Sequence, residues 1–582
     1  MKNTLVSFAS IIQSSGVDRA SASRRDLPIH PPHPPAPTAD PLRFAVRVSA
    51  CSMMSACLFA APARGDPCAL VESRAALSSL SGVRISSVEI QSEGPELPGA
   101  ARIFGALHPV SQHGIIRRQL LFAPGDSVDT LLVGETMRRL RAQRLFSDAV
   151  LLARRCDPSG GLALVLRTRD TWTLRPTARL RQPSQLSVGV EDRNFLGTGR
   201  TVAITREMTL RGSGGAVSYV DPFILGSDVA GNIRVARLGG GEAIRLGLRR
   251  HEYSVFDTWR VEGNFSRLSY RDTIAAEKGL HTVSAMTLVG RRISGPGTSV
   301  TSVLLGAEFD SAASISASRR GVTPGTPHVR SFIGLDVGLQ RRTAQFDSAS
   351  WIAPGRGILD VPLGWEGDGI IGVGHERDAN VGAMKFDAWL GRVWLPRRGQ
   401  VLMLDGWASS YLGHSIDRNQ ITRGSVSFYS QARRGMWGAR LTAEQQHELD
   451  PDRRGLSLMP HADFTAPLLR PFAARGTRSL AASLDRDVRL MSIGAASVLN
   501  AGGFLAGSYR WGVSDAPGKQ LHAGVIGTRL RVLSANGTVS SIRLDVGYPI
   551  ARSEVLSSKP FVVLTYGTLF DASRQRDGRR LY

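Results

Sequence analysis

The sequence predicts a mainly β protein, in which a C-terminal transmembrane antiparallel β-barrel of about 16 strands follows one small α+β module. Three observations predict this. From Thr171 to Phe570 apolar and polar residues alternate in run after run, the period of two expected of strands. Those runs are separated by turn clusters such as Gly239-Gly240-Gly241 and Asn536-Gly537, both typical of hairpins. Between Val83 and Asp170 the periods are mixed, in the order strand, helix, helix, strand, strand.

The elements follow from the N-terminus. Residues 1–42 end in "PIHPPHPPAPTADPL", whose prolines remove donors and fix extended backbone, so this stretch is expected to form no packed element. Residues 43–65 carry Arg43 and Arg47, an apolar run from Val48 to Ala61, and Ala61-Pro62-Ala63, the layout of a secretory signal with an A-x-A cleavage site. The distance of this signal from Met1 leaves two readings open, an extension lost with the signal or a start codon placed too early. Cys51 and Cys57 follow "VSA" and "MSA", a rough lipobox, so lipidation is the minor alternative. Residues 66–82 are then the mature N-terminal segment.

In residues 83–170, Val83, Ile85, Val88 and Ile90 predict a strand, and "GIIRRQLLF" (114–122) a short helix closed by Ala123-Pro124-Gly125. A second helix is expected from about Asp126, with Asp129 in its first turn and Val133, Met137 and Leu140 as its buried stripe. "FSDAVLLARRC" and "GLALVLRTRDTWTL" give two strands joined at Ser159-Gly160-Gly161.

In residues 171–570, "SSIRLDVGYPI" places Ile542, Leu544, Val546, Tyr548 and Ile550 on one face and Arg543, Asp545 and Gly547 on the other. "WRVEGNFS" does the same with Trp259, Val261 and Phe265 against Arg260, Glu262 and Asn264. A soluble sandwich also alternates, but a face carrying recurrent Arg, Glu and Asp opposite an aromatic and aliphatic one fits lipid outside and water inside. Closure follows, since lipid tolerates no open sheet edge. About 400 residues at roughly 25 per strand plus loop gives the figure of about 16. "SVGVEDRNFLGTGR" poses a separate question, because its Gly197-Thr198-Gly199 could be a phosphate loop. The run after it alternates rather than opening a helix, so the two glycines are expected to serve a hairpin turn. Residues 571–582 are mostly charged, do not alternate, and are expected to be a polar tail.

The formal charge is +23, and the basic residues are nearly all arginine, with lysine only at positions 2, 278, 385, 519 and 559. Scattered arginines along strands suit solvated faces or anionic lipid headgroups, and no nucleic-acid motif accompanies them. No His-Glu-x-x-His, Gly-x-Ser-x-Gly or metal-spaced cysteine pair occurs, and His447-Glu448 lacks a second histidine at the needed spacing. The chain is therefore expected to be no enzyme and to need no cofactor or metal.

"RRQLLFAPGD", "RTRDTWTLRP", "VGVEDRNFLGTGR" and "SYVDPFILGSD" together resemble the BamA/TamA superfamily of outer-membrane assembly proteins, the bacterial surface antigens. The resemblance covers about Val83 to Phe570. It implies one periplasmic POTRA module (83–170), a sixteen-stranded outer-membrane barrel, and no enzymatic activity. The implied partners are the outer-membrane bilayer, extended client proteins at the POTRA sheet edge, and periplasmic or lipoprotein accessories, with no nucleic acid. The implied role is assembly or translocation of proteins at the outer membrane. A dedicated two-partner-type secretion pore and a passive pore or surface antigen are the alternatives.

The family's lumen loop carries an Arg-Gly-aromatic motif that meets an acidic strand residue. Here the candidates are Arg470 with Phe472 (proline in the glycine position), Arg475 with Gly476 (threonine in the aromatic position), and Asn500 in place of the acid. An Arg-to-Asn contact keeps a hydrogen bond and loses the charge pair. Cys68 and Cys156 are the cysteines left after the signal. They are candidates for a disulfide in an oxidising compartment, with two free thiols as the alternative. Family barrels end in an aromatic-tipped strand, for which Tyr566 and Phe570 are the candidates and Tyr582 the competing one.

Overall fold

The computed structural model describes residues 80–568 except 96–107, 144, 155–160, 183–184, 210–211, 239–240, 251–256, 273–277, 296, 316–327, 349–359, 414–418, 448–476, 494–496, 512–519, 537 and 553–558. The N-terminal module has the expected element order: β1 (Ile85–Glu93), α1 (His113–Arg117), α2 (Thr130–Ala142), β2 (Phe146–Arg154) and β3 (Leu162–Asp170). Its sheet runs β1-β3-β2, parallel between β1 and β3 and antiparallel between β3 and β2. The expected stripe of Val133, Met137 and Leu140 is buried against Ile85, Leu151 and Leu164. Full burial of a leucine such as Leu140 contributes about 1.5–3 kcal/mol.

Two details of the helices differ from the sequence reading. The first helix is a single short turn, because Gln119 and Leu120 close it by bonding back to Ile116 and Arg117. Asp129 lies just outside the second helix rather than in its first turn, and there its carboxylate accepts from Leu131 N and Leu132 N. It therefore acts as an N-cap, satisfying donors that the helix cannot.

Beyond the module the chain winds into one closed, antiparallel barrel. Its first ten strands are β4 (Leu174–Gln182), β5 (Gln185–Phe195), β6 (Arg200–Thr209), β7 (Gly212–Asp221), β8 (Val229–Leu238), β9 (Gly241–Arg250), β10 (Trp259–Asp272), β11 (Lys278–Arg292), β12 (Ser299–Ile315) and β13 (His328–Thr343). A three-residue hairpin outside the barrel follows, β14 (Phe346–Ser348) with β15 (Asp360–Pro362). The second ten are β16 (Gly364–Glu376), β17 (Val381–Trp394), β18 (Gln400–Leu412), β19 (Gln420–Ala432), β20 (Gly435–His447), β21 (Arg478–Ile493), β22 (Ser497–Trp511), β23 (Leu521–Asn536), β24 (Thr538–Arg552) and β25 (Phe561–Thr568).

The barrel thus has twenty strands where the sequence predicted about sixteen. The allotment of roughly 25 residues per strand and loop was too generous. Strands run from 8 to 17 residues, and many turns are as short as residues 196–199, 377–380 or 433–434. β25 closes the ring on β4, and both are among its shortest strands.

Alternation sorts the side chains as expected. Ile542, Val546, Tyr548 and Ile550 face outward and are exposed, whereas Asp545 faces the lumen and is buried. Leu335, Val373, Leu390 and Leu505 continue the exposed apolar belt around the barrel. Such a belt on a closed sheet is the surface that lipid covers.

Candidate functional site

Two constellations stand out: the junction between the module and one rim of the barrel, and a block of paired charges inside the barrel wall. The junction begins at the quoted glycine turn. Leu196, Gly197 and Gly199 all have positive φ (55°, 71° and 67°), so the turn is the hairpin expected and not a phosphate loop. Its role is docking. Gln112 N donates to Gly197 O at 2.9 Å, and Gly199 N to Asn194 Oδ1 at 2.8 Å. Asn194 Nδ2 in turn donates to Ser111 Oγ at 2.9 Å, and Ser111 N to Asp170 Oδ2 at 2.7 Å. Asn194 and Asp170 are wholly buried, so this chain of bonds joins module and barrel in a site closed to water, where an unmade bond is expensive.

A second contact involves the loop after β7. Asp221 accepts from Phe223 N at 2.9 Å and pairs with Arg200 at 3.0 Å, fixing the start of "DPFILGSD". Arg118 from the module then stacks on Phe223, 5.4 Å from the ring centre, and donates to the carbonyl of Gly226.

The third contact uses α2. Arg141 makes a bidentate bond to Asp360 on β15, both arms 2.8 Å, and Arg138 lies 4.7 Å over the Phe346 ring on β14. Arg138 is also gripped by both carboxylate oxygens of Glu135 at 2.6 Å. Burial works against its charge, but Glu135, Asp360 and Glu366 outweigh that and raise its pKa above the ordinary guanidinium value.

These three contacts fall after the second, fourth and tenth strands of the twenty, and β2 also lies against β23, the eighteenth. The module therefore reaches across the barrel opening rather than standing beside it.

Inside the wall, Asp485 and Asp487 on β21, Arg529 and Arg531 on β23, and Arg543 and Asp545 on β24 form one balanced network. Arg529 lies 2.7 Å from Asp545 and 3.3 Å from Asp485, and Arg543 2.9 Å from Asp545. Three carboxylates against three guanidiniums leave no uncompensated charge in a buried place. Asn500 on β22 is buried beside this block, in register between Arg489 and Arg531. The structure thus places Asn500 on the lumen face. Its proposed partners Arg470, Phe472, Arg475 and Gly476 lie outside the described residues, as do Cys68, Cys156 and Phe570. Tyr566 lies on β25, paired in register with Ile542.

Sequence reasoning missed Arg118, Arg138, Arg141 and Asp360, because nothing in a sequence says which distant loop a helix meets. The lumen network did leave a trace, in the period-two pairs Asp485/Asp487, Arg529/Arg531 and Arg543/Asp545. Among the described residues no group of His, Cys, Asp and Glu converges as a metal site.

No protein-family model matches the chain, and no curated protein sequence does. Solved structures similar to it include BamA from Haemophilus ducreyi lacking POTRA domains 1–3, at 11% identity and a TM-score of 0.37, covering 84% of this chain and 85% of that one. CdiB from Escherichia coli is similar at 11% identity and 0.43, over 86% and 80% of the two chains. CdiB from Acinetobacter baumannii is similar at 12% and 0.38, over 86% and 78%. Scores and identities this low leave the function to the chain's own geometry.

Proposed function

We propose that this chain is an outer-membrane barrel of the BamA/TamA superfamily whose single periplasmic POTRA module receives extended client proteins and helps them into or across the membrane. The observation that carries the reading is the module itself: a small sheet with open edges, fastened across one mouth of a closed, outwardly apolar barrel. β1 is the edge away from the barrel contact at β2. Up to Ile85 it bonds to the segment around Asp126, and beyond that, among the described residues, its outer side offers a row of main-chain groups to an added strand. Strand addition binds through main-chain bonds and so accepts many client sequences, which is the chemistry a general assembly factor needs. The seam between β4 and β25, where neighbouring strands of the wall touch least among the described residues, supplies a second feature that suits the role, a place for sideways release.

Depletion of the protein followed by quantitative comparison of the outer-membrane proteome tests the proposal. A decline of several other barrel proteins is the expected result. Loss of one secreted protein would reassign the chain as a dedicated secretion pore. Altered small-solute permeability with an unchanged proteome would reassign it as a passive pore.

A further inference from the structure

Of the five places among the described residues where an arginine and a tryptophan stand opposite each other in register on neighbouring strands, three stack face to face: Arg291 with Trp259, Arg392 with Trp365, and Arg486 with Trp437. In each pair the guanidinium lies over the indole, 5.2, 5.0 and 5.1 Å from the ring centre. Arg392 is held from a second side by Trp394, at 4.5 Å. We propose that these pairs are binding sites for the phosphate groups of anionic phospholipids in the leaflet on the module's side of the membrane. The proposal rests on the membrane-spanning reading of the barrel and not on any handling of clients.

Position is the first argument. β4 leaves the module at one rim, so β10, β16 and β20, which run the same way, also begin there. Trp259, Trp365 and Trp437 are the first, second and third residues of those strands, so all three pairs lie at a single level near that rim. All face outward. The tryptophans are exposed, and Arg392 is in phase with exposed Phe386 and Leu390, as Arg486 is with Leu480 and Leu484. Asp485 and Asp487, which flank Arg486 in sequence, point the other way, to the lumen network.

Charge is the second. An arginine on a lipid-facing wall is costly at mid-membrane and tolerated only near the headgroups. Among the described residues no carboxylate pairs with Arg291, Arg392 or Arg486; Arg392 Nε and Arg486 Nη1 are closed off from solvent, so a ligand would meet the remaining N–H groups. A guanidinium stacked by its face keeps its N–H edge free, and a phosphate accepts two such bonds side by side. The indole fixes the arginine at headgroup depth, where tryptophan itself is favoured.

Repetition is the third. The pairs occupy strands seven and eight, eleven and twelve, and fifteen and sixteen of the barrel, an interval of four strands each time.

The test is native mass spectrometry of the full-length protein in a neutral detergent, offered phosphatidylglycerol or phosphatidylcholine in equal amounts. The wild type is expected to retain phosphatidylglycerol in preference. Arg291→Gln, Arg392→Gln and Arg486→Gln should each lower the number retained by one, and the triple variant should abolish the preference. Arg267→Gln, an outward arginine toward the far end of β10, should change nothing. The heat-modifiable band on a gel reports folding for each variant, and the single substitutions decide the matter if the triple variant fails to fold. Equal retention of the two lipids by the wild type, undiminished retention by the single variants, or full displacement of the lipid by an equal concentration of inorganic phosphate would overturn the proposal.

Discussion

Gly197 sits where no side chain fits: a Cβ there would come 2.5 Å from the carbonyl oxygen of Val110, at a φ of +71° that side chains resist. Gly197→Ala must therefore push the module off the turn or twist the turn itself, at a cost of about 1–3 kcal/mol. The expected outcome is a barrel that keeps its heat-modifiable band while the module is cut several-fold faster by trypsin. A smaller effect belongs to Asp129. Asp129→Ala removes the cap of α2 and should cost about 1 kcal/mol, read as a lower thermal transition of the module within the intact chain. Both positions were legible in the sequence as local devices, a turn and a helix start. The target of the turn was not, since Val110 is 87 residues away and no local rule links them.

At the scale of the strand, period-two alternation made nearly the whole barrel legible, because a strand between lipid and water must alternate to exist at all. Strand number was less legible, as it depends on loop lengths that composition alone fixes poorly. The separation of faces can be tested on β24. Leu544→Arg puts a charge on the outward face and is expected to cost on the order of 2–4 kcal/mol near mid-membrane, with loss of the heat-modifiable band. Arg543→Gln, on the lumen face, should keep the band, because Asp545 retains Arg529 at 2.7 Å. Arg529→Ala is the more damaging lumen change. It leaves Asp545 and Asp485 with one partner fewer in a buried site, and costs of several kcal/mol are usual for breaking such a pair.

For the molecule as a whole, the clasp between Arg141 and Asp360 joins a helix of the module to a hairpin 219 residues further along the chain. Asp360→Ala is expected to weaken the junction by about 1.5–3 kcal/mol, the range for a charged hydrogen bond. Purified protein in a planar bilayer should then open more often than wild type, and the exchange Arg141→Asp with Asp360→Arg should restore closure in part. An unchanged opening frequency would mean that the module does not cover the mouth.

The ring is built almost entirely of neighbours: each strand pairs with the one made just before it, and the exception is the union of β4 with β25. Leu174 and Phe561 lie almost the full barrel apart in sequence, so this one union has nothing local to guide it and must come last. Until β25 docks, the nascent sheet is a curled ribbon with two sticky margins. A ribbon in that state can zip onto itself or onto the margin of another unfinished ribbon.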